Sequence, residues 1–146
     1  MSTALKATIV QLVSSGPHRL EIGRKQLTLA FGGLYIASTT ATARPLLVWE
    51  VEKGYPRYYI PTESVHGDIK PHLSESETGH GKINGHGTVE LVKVETVTGK
   101  GSNPQAVIER LTVGPKSTTW VRFIEGPLKG FIRFERSEIG SFIIIP

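Results

Sequence analysis

The sequence predicts an all-β fold: a single antiparallel barrel-like or sandwich domain with a long polar loop. Three observations lead there. Sixteen Gly and nine Pro punctuate the 146 residues, which calls for many turns. Between them lie short apolar runs, several with the two-residue alternation of a half-buried strand. Those runs are rich in Val, Ile, Thr, Tyr and Phe, side chains that fit a pleated surface. A chain of this length has core for one domain, so residues 1–146 are expected to form a single unit.

Taken in order, KATIVQLV at residues 6–13 reads as a first strand, and SSGPHRLEIGRK as turn chemistry. In LTLAFGGLYIA, Leu27, Leu29 and Phe31 alternate with small or polar residues. Gly32 and Gly33 can take the positive φ that a tight hairpin needs. LLVWEVE and RYYIP are two further strands separated by KGYP. From Thr62 to Gly87 apolar residues are sparse, and the stretch reads as a long surface excursion over 62–87. TVELVKVETV resumes the alternation, but adjacent Leu91 and Val92 break its phase, which predicts a bulge there. After the turn GKGSNP come QAVIERLTV, TTWVRFI, FIRFER and IGSFIII. NPQAVIERL reads equally as a short helix. The total is about nine strands at close spacing, with no visible internal repeat.

Composition removes several chemistries. Cysteine is absent, which excludes disulfides, thiol nucleophiles and cysteine-ligated zinc. The net charge of +4 is spread over 17 basic and 13 acidic residues and specifies no polyanionic partner. The N-terminus lacks the pattern of a signal peptide, and no run approaches the roughly 18 apolar residues of a membrane span. A cytoplasmic protein with no membrane partner is the expectation.

Motif by motif, the options narrow. GHGKINGHG at 79–87 frames His80 and His86 with glycines, yet no Gly-Lys pair is followed by Ser or Thr, so a phosphate-binding Walker loop is absent. The spacing also misses a dinucleotide fingerprint, because the sixth position from Gly79 is Asn84. His66, His72, His80 and His86, with Glu75 and Glu77 among them, have the chemistry for a metal. A glycine-rich loop does not present ligands rigidly, and no metal is expected. WVRFIEGPLKGFIRFER interleaves aromatics with arginines, and Trp120 and Arg122 would share a strand face. Without a second basic cluster this argues against a nucleic-acid partner. No Gly-x-Ser-x-Gly elbow occurs.

VWEVEKGYPRYYIP holds the most chemistry. Glu50 and Glu52 stand two apart, so on one strand they would face the same side beside apolar neighbours. A carboxylate desolvated there would titrate near neutrality as a general acid or base. Tyr55, Tyr58 and Tyr59 can supply hydrogen bonds.

FGGLYIAST, then VWEVEKGYPRYYIPTESV, and the tail TTWVRFIEGPLKGFIRFERSEI resemble the domain-of-unknown-function 427 family over about residues 27–142. The resemblance implies a small, barrel-like all-β fold, with Glu52 at the family's strand-end glutamate and Tyr59 at its characteristic tyrosine. Where relatives read Cys-Pro-aromatic-Lys-Gly-Thr, this chain reads INGHGT, placing Ile83 on the cysteine, His86 on the lysine, and Gly87 and Thr88 on the Gly-Thr. Histidine in place of lysine exchanges a permanent cation for a group that titrates near neutral pH.

The resulting functional expectation is a cofactor-independent enzyme acting by proton transfer (isomerase, cyclase or lyase type) on a small, largely apolar molecule. Glu52 and His86 would be its acid–base pair, and Tyr59 would polarise an oxygen. Tyr35, Trp49, Tyr58, Trp120 and Arg122 are the candidate ligand-lining residues. The alternative is a non-catalytic module that binds a small molecule or a protein. A homo-oligomer is compatible with either.

Overall fold

The computed structural model describes residues 3–66, 69, 78–83, 87–99, 103–135 and 141–145; for Thr3, 78–83, 87–88 and 141–145 the backbone alone is described. The expected all-β architecture is present. Eleven strands among the described residues form two antiparallel sheets. They are β1 (Arg19–Ile22), β2 (Gln26–Phe31), β3 (Leu34–Ser38), β4 (Leu46–Trp49), β5 (Arg57–Pro61), β6 (Thr78–Ile83), β7 (Gly87–Val97), β8 (Ala106–Val113), β9 (Lys116–Phe123), β10 (Phe131–Phe134) and β11 (Ser141–Ile145). The large sheet runs β1-β4-β5-β10-β9-β8-β7-β6, and the small one β11-β2-β3. The large sheet is not closed, so the arrangement is a sandwich whose outermost strands are β1 and β6.

Alternation along the strands gives the large sheet two covered faces. On its inner face, Ile60, Val89, Leu91, Leu111, Val113, Trp120, Ile132 and Phe134 pack with Leu27, Leu29, Phe31, Leu34 and Ile36 of the small sheet. On the opposite face, Leu46, Val48, Tyr59, Ile108, Val121 and Phe123 pack with Ile9 and Leu12 of a helix, α1 (Thr3–Ser15).

That helix corrects the expected first strand at residues 6–13. Leu5, Ile9, Leu12 and Val13 recur at i, i+4, i+7 and i+8 and face the sheet, which is the helical period. The run Thr8-Ile9-Val10 imitates a strand, but burying one face against the sheet outweighs local β preference. Gly16, at φ 79°, ends the helix, with its N–H donating to the Leu12 carbonyl at 2.9 Å in the left-handed cap glycine favours.

The Gly32-Gly33 hairpin forms as expected. Phe31 pairs with Leu34, and the glycines have φ of 61° and 81°, the signature of a type I′ turn. The NPQAVIERL ambiguity resolves as strand, since Ala106–Val113 is β8. The β7 bulge lies between Lys93 and Glu95, two residues beyond the expected place. It inverts which side chains face inward: Val89 and Leu91 enter the inner core, whereas Val97 enters the helix-side core.

The long loop over 62–87 is partly corrected. Thr62–Ser64 is a 3-10 turn, Val65 bridges Ala37, and Thr78–Ile83 is β6, paired to β7 from Thr78↔Val92 to Ile83↔Gly87. An outermost strand can pair through its backbone without an apolar face, so sparse hydrophobicity did not reveal it. Residues 67, 68, 70–77 and 84–86 lie outside the described residues. RLEI, assigned to a turn from sequence, is β1, paired to β4 from Arg19↔Trp49 to Ile22↔Leu46. Among the described residues no helix is long and apolar enough to cross a membrane.

Candidate functional site

Of the two glutamates after β4, it is Glu50, not Glu52, that the fold largely shields from solvent. β4 stops at Trp49, and residues 50–54 bend away, so the two glutamates do not share a strand face. Glu50 keeps the parity of Leu46 and Val48 and turns toward the helix-covered side, its side chain 11% exposed. Glu52 is exposed in the bend. The premise that apolar neighbours desolvate Glu52 is therefore corrected.

Three residues reach Glu50 from neighbouring strands because register puts them on one face: Arg57 pairs with Val48, Tyr59 with Leu46, and Arg133 with Tyr59. Arg133 donates from Nε to Glu50 Oε2 at 2.6 Å and from Nη2 to Oε1 at 3.2 Å. The Tyr59 hydroxyl donates to Oε2, and Arg57 Nε stands 3.3 Å from Oε1. Glu135 sits 3.6 Å from Arg133 Nη1 and 3.8 Å from Arg57 Nη1. Two carboxylates thus face two guanidiniums.

Burial would raise the Glu50 carboxyl, but the hydrogen bonds and charge of Arg133, with Tyr59 and Arg57, reverse this and hold it below the usual carboxylate range. Burial and then the adjacent Glu50 charge push the Tyr59 phenol well above its ordinary value. Arg133 is raised despite burial, because Glu50 stabilises its charged form. Each Glu50 oxygen has two donors within reach, which uses about all the lone pairs a carboxylate offers. Such a group holds strands together and has no acceptor capacity left for a substrate proton.

A second buried ionic group lies on the inner face. Glu109 accepts from Trp120 Nε1 at 2.9 Å, from Arg122 Nε at 3.0 Å and from Arg122 Nη2 at 3.2 Å. Trp120 is 1% exposed and meets Phe134 edge-to-face at 5.4 Å. Trp120 and Arg122 do share a face, as expected, but they are spent on Glu109 and the core. Trp120 is thereby enclosed in the core and offers no open face on which a base could stack, while Arg122 stays partly exposed and engaged with Glu109.

The remaining expected site residues are dispersed. Tyr59 is fully buried, stacked on Phe123 at 5.7 Å, with its hydroxyl bonded to Glu50. Tyr35 is 60% exposed on β3. Trp49 carries the Arg19 guanidinium 4.4 Å over its ring. Tyr58 lines a cleft. His86 and His72 lie outside the described residues, as does the side chain of His80, and no group of three metal-ligating side chains occurs among the described residues.

Concave surface is found at the β1 end of the large sheet, on both sides of it. A cleft of about 550 Å³ on the inner face is lined by Glu21, Ile22, Arg24, Lys25, Leu47 and Tyr58. One of about 610 Å³ on the helix face includes Ile22, Arg44, Leu46, Pro61, Lys129 and Phe131. Ile22 belongs to both and is 67% exposed. Sequence reasoning missed this strand although the alternation Arg-Leu-Glu-Ile was visible, because Gly, Pro and Ser nearby pointed to a turn. Compared with protein-family models, curated proteins and solved structures, the chain matches none.

Proposed function

We propose that this protein is a non-catalytic binding module that accepts an extended segment of a protein partner along the outer edge of β1. One observation carries the reading: a strand with no partner on its outer side among the described residues lies between two clefts, one on each face of the sheet. A peptide added as a further strand would send successive side chains to opposite faces, so alternate residues meet different clefts. Backbone groups are ready for it. The Gly23 N–H donates to the Pro45 carbonyl at 2.8 Å, and by antiparallel alternation the N–H and C=O of Leu20 and Ile22 then point away from β4.

The acid–base enzyme reading draws less support. Such an enzyme needs ionisable groups converging on a shared cavity. Glu52 lines neither cleft, and the Tyr59 hydroxyl is committed to Glu50.

The test is titration of 15N-labelled protein with short alternating peptides of different charge, each with a version N-methylated at every second residue. Amide shifts confined to residues 19–25, 41–47 and 58, and lost for the N-methylated versions, are expected. Absence of shifts at β1 with every peptide rejects the proposal.

A further inference from the structure

Resting on that edge reading, we infer that the segment taken by β1 alternates in chemistry, with acidic side chains on the inner face and apolar ones on the helix face. The two sides of β1 differ in charge and in lining.

On the inner side, Arg19 and Glu21 pair at 2.5 Å, which offsets the one acid there. Arg24 and Lys25 follow, both exposed and without an ion pair among the described residues. Three cations thus stand against one carboxylate. They bracket Glu21, so the partner positions that favour an acid lie opposite Arg19 and Gly23, four residues apart, and a neutral residue suits the position opposite Glu21. Tyr58 and Leu47 floor this cleft and accommodate the methylenes of a glutamate.

The helix side is different. Leu20 and Ile22 point there, since they pair with Val48 and Leu46. Leu46, Pro61 and Phe131 continue the apolar surface into the larger cleft. Its cations, Arg44 and Lys129, are partly offset by Glu63, and Arg44 Nε is held by the Ala41 carbonyl at 3.1 Å. Residues opposite Leu20 and Ile22 are therefore apolar. The pattern acid-apolar-neutral-apolar-acid is the same in either direction, so it holds for parallel and antiparallel addition.

Fluorescence anisotropy with three labelled peptides tests it: Ser-Glu-Val-Thr-Val-Glu-Ser, its Lys-for-Glu counterpart, and the parity-swapped Ser-Val-Glu-Thr-Glu-Val-Ser. The first is expected to bind at least about tenfold tighter than the other two, a difference of about 1.4 kcal/mol. The double variant Arg24→Glu, Lys25→Glu should reverse the charge preference, with Arg24→Ala, Lys25→Ala as the milder variant abolishing it. Equal binding of the acidic and basic peptides, or of both parities, overturns the alternation while leaving the edge reading intact. Failure of all three to shift β1 amides, with other alternating peptides doing so, overturns it too. If no peptide of any composition binds at β1, both readings fall together.

Discussion

Around Glu50, every charged group meets an opposite charge at short range: Arg133 at 2.6 Å, Arg57 at 3.3 Å, and Glu135 behind them. One strand away, Arg24 and Lys25 just past the end of β1 meet none among the described residues, while Leu20 and Ile22 on β1 face solvent. The difference separates two uses of polar chemistry. A buried carboxylate carries a desolvation cost that opposing charges and hydrogen bonds offset, so its partners are fixed by the fold. An edge cation stays hydrated without a partner and remains available for one.

The largest expected effect comes from breaking the interior cluster. Glu50→Ala leaves the Arg133 guanidinium, 5% exposed, without its main counter-charge, which costs about 3–5 kcal/mol. Thermal melting should fall by roughly ten degrees or more. The double change Glu50→Leu, Arg133→Met should cost less than the sum of the two single changes, because neither charge is then stranded.

Next in size is Glu109→Ala on the inner face. It orphans the buried Trp120 N–H and loosens Arg122, with an expected loss of about 1–3 kcal/mol in urea unfolding. Equal losses at Glu50 and Glu109 would show that the number of charges gathered around a carboxylate does not set its importance.

Acid sharpens the same contrast. The folded state holds Glu50 below the usual carboxylate range, so its contribution to stability is present above the unfolded value of about 4.3 and is lost as pH falls below it toward the folded value. The wild-type melting temperature should decline across that window, and Glu50→Gln should decline less steeply. The smallest effect on stability is expected at the edge: Ile22→Asp should change it by no more than about 0.5 kcal/mol while removing peptide-induced amide shifts at β1.

How much was legible depended on how local the signal was. Gly32-Gly33 between alternating runs specified its hairpin because the turn needs positive φ at two adjacent residues. RYYIP and TTWVRFI carried their strand character in their own side chains. The helix at Thr3–Ser15 was hidden because its β-branched run is locally strand-like and its helical face matters only against the sheet. The phase break in β7 was legible, yet its placement at Lys93 and Glu95 required the partner strand.

The sequence by itself determined the all-β class and the absence of thiol chemistry, both consequences of residue type and short-range spacing. It also drew attention to Glu50, Glu52 and Tyr59, but assigned the acid–base role to Glu52. Tertiary structure alone decided that Glu50 is the largely shielded member of the pair and Glu52 the exposed one, because the bend after Trp49 ends their shared face. It also brought Arg133, 83 residues from Glu50, to that carboxylate. Which strand is left outermost, and so which side chains remain to meet a partner, follows from the order of pairing across the sheet, and no short stretch of chain contains that order.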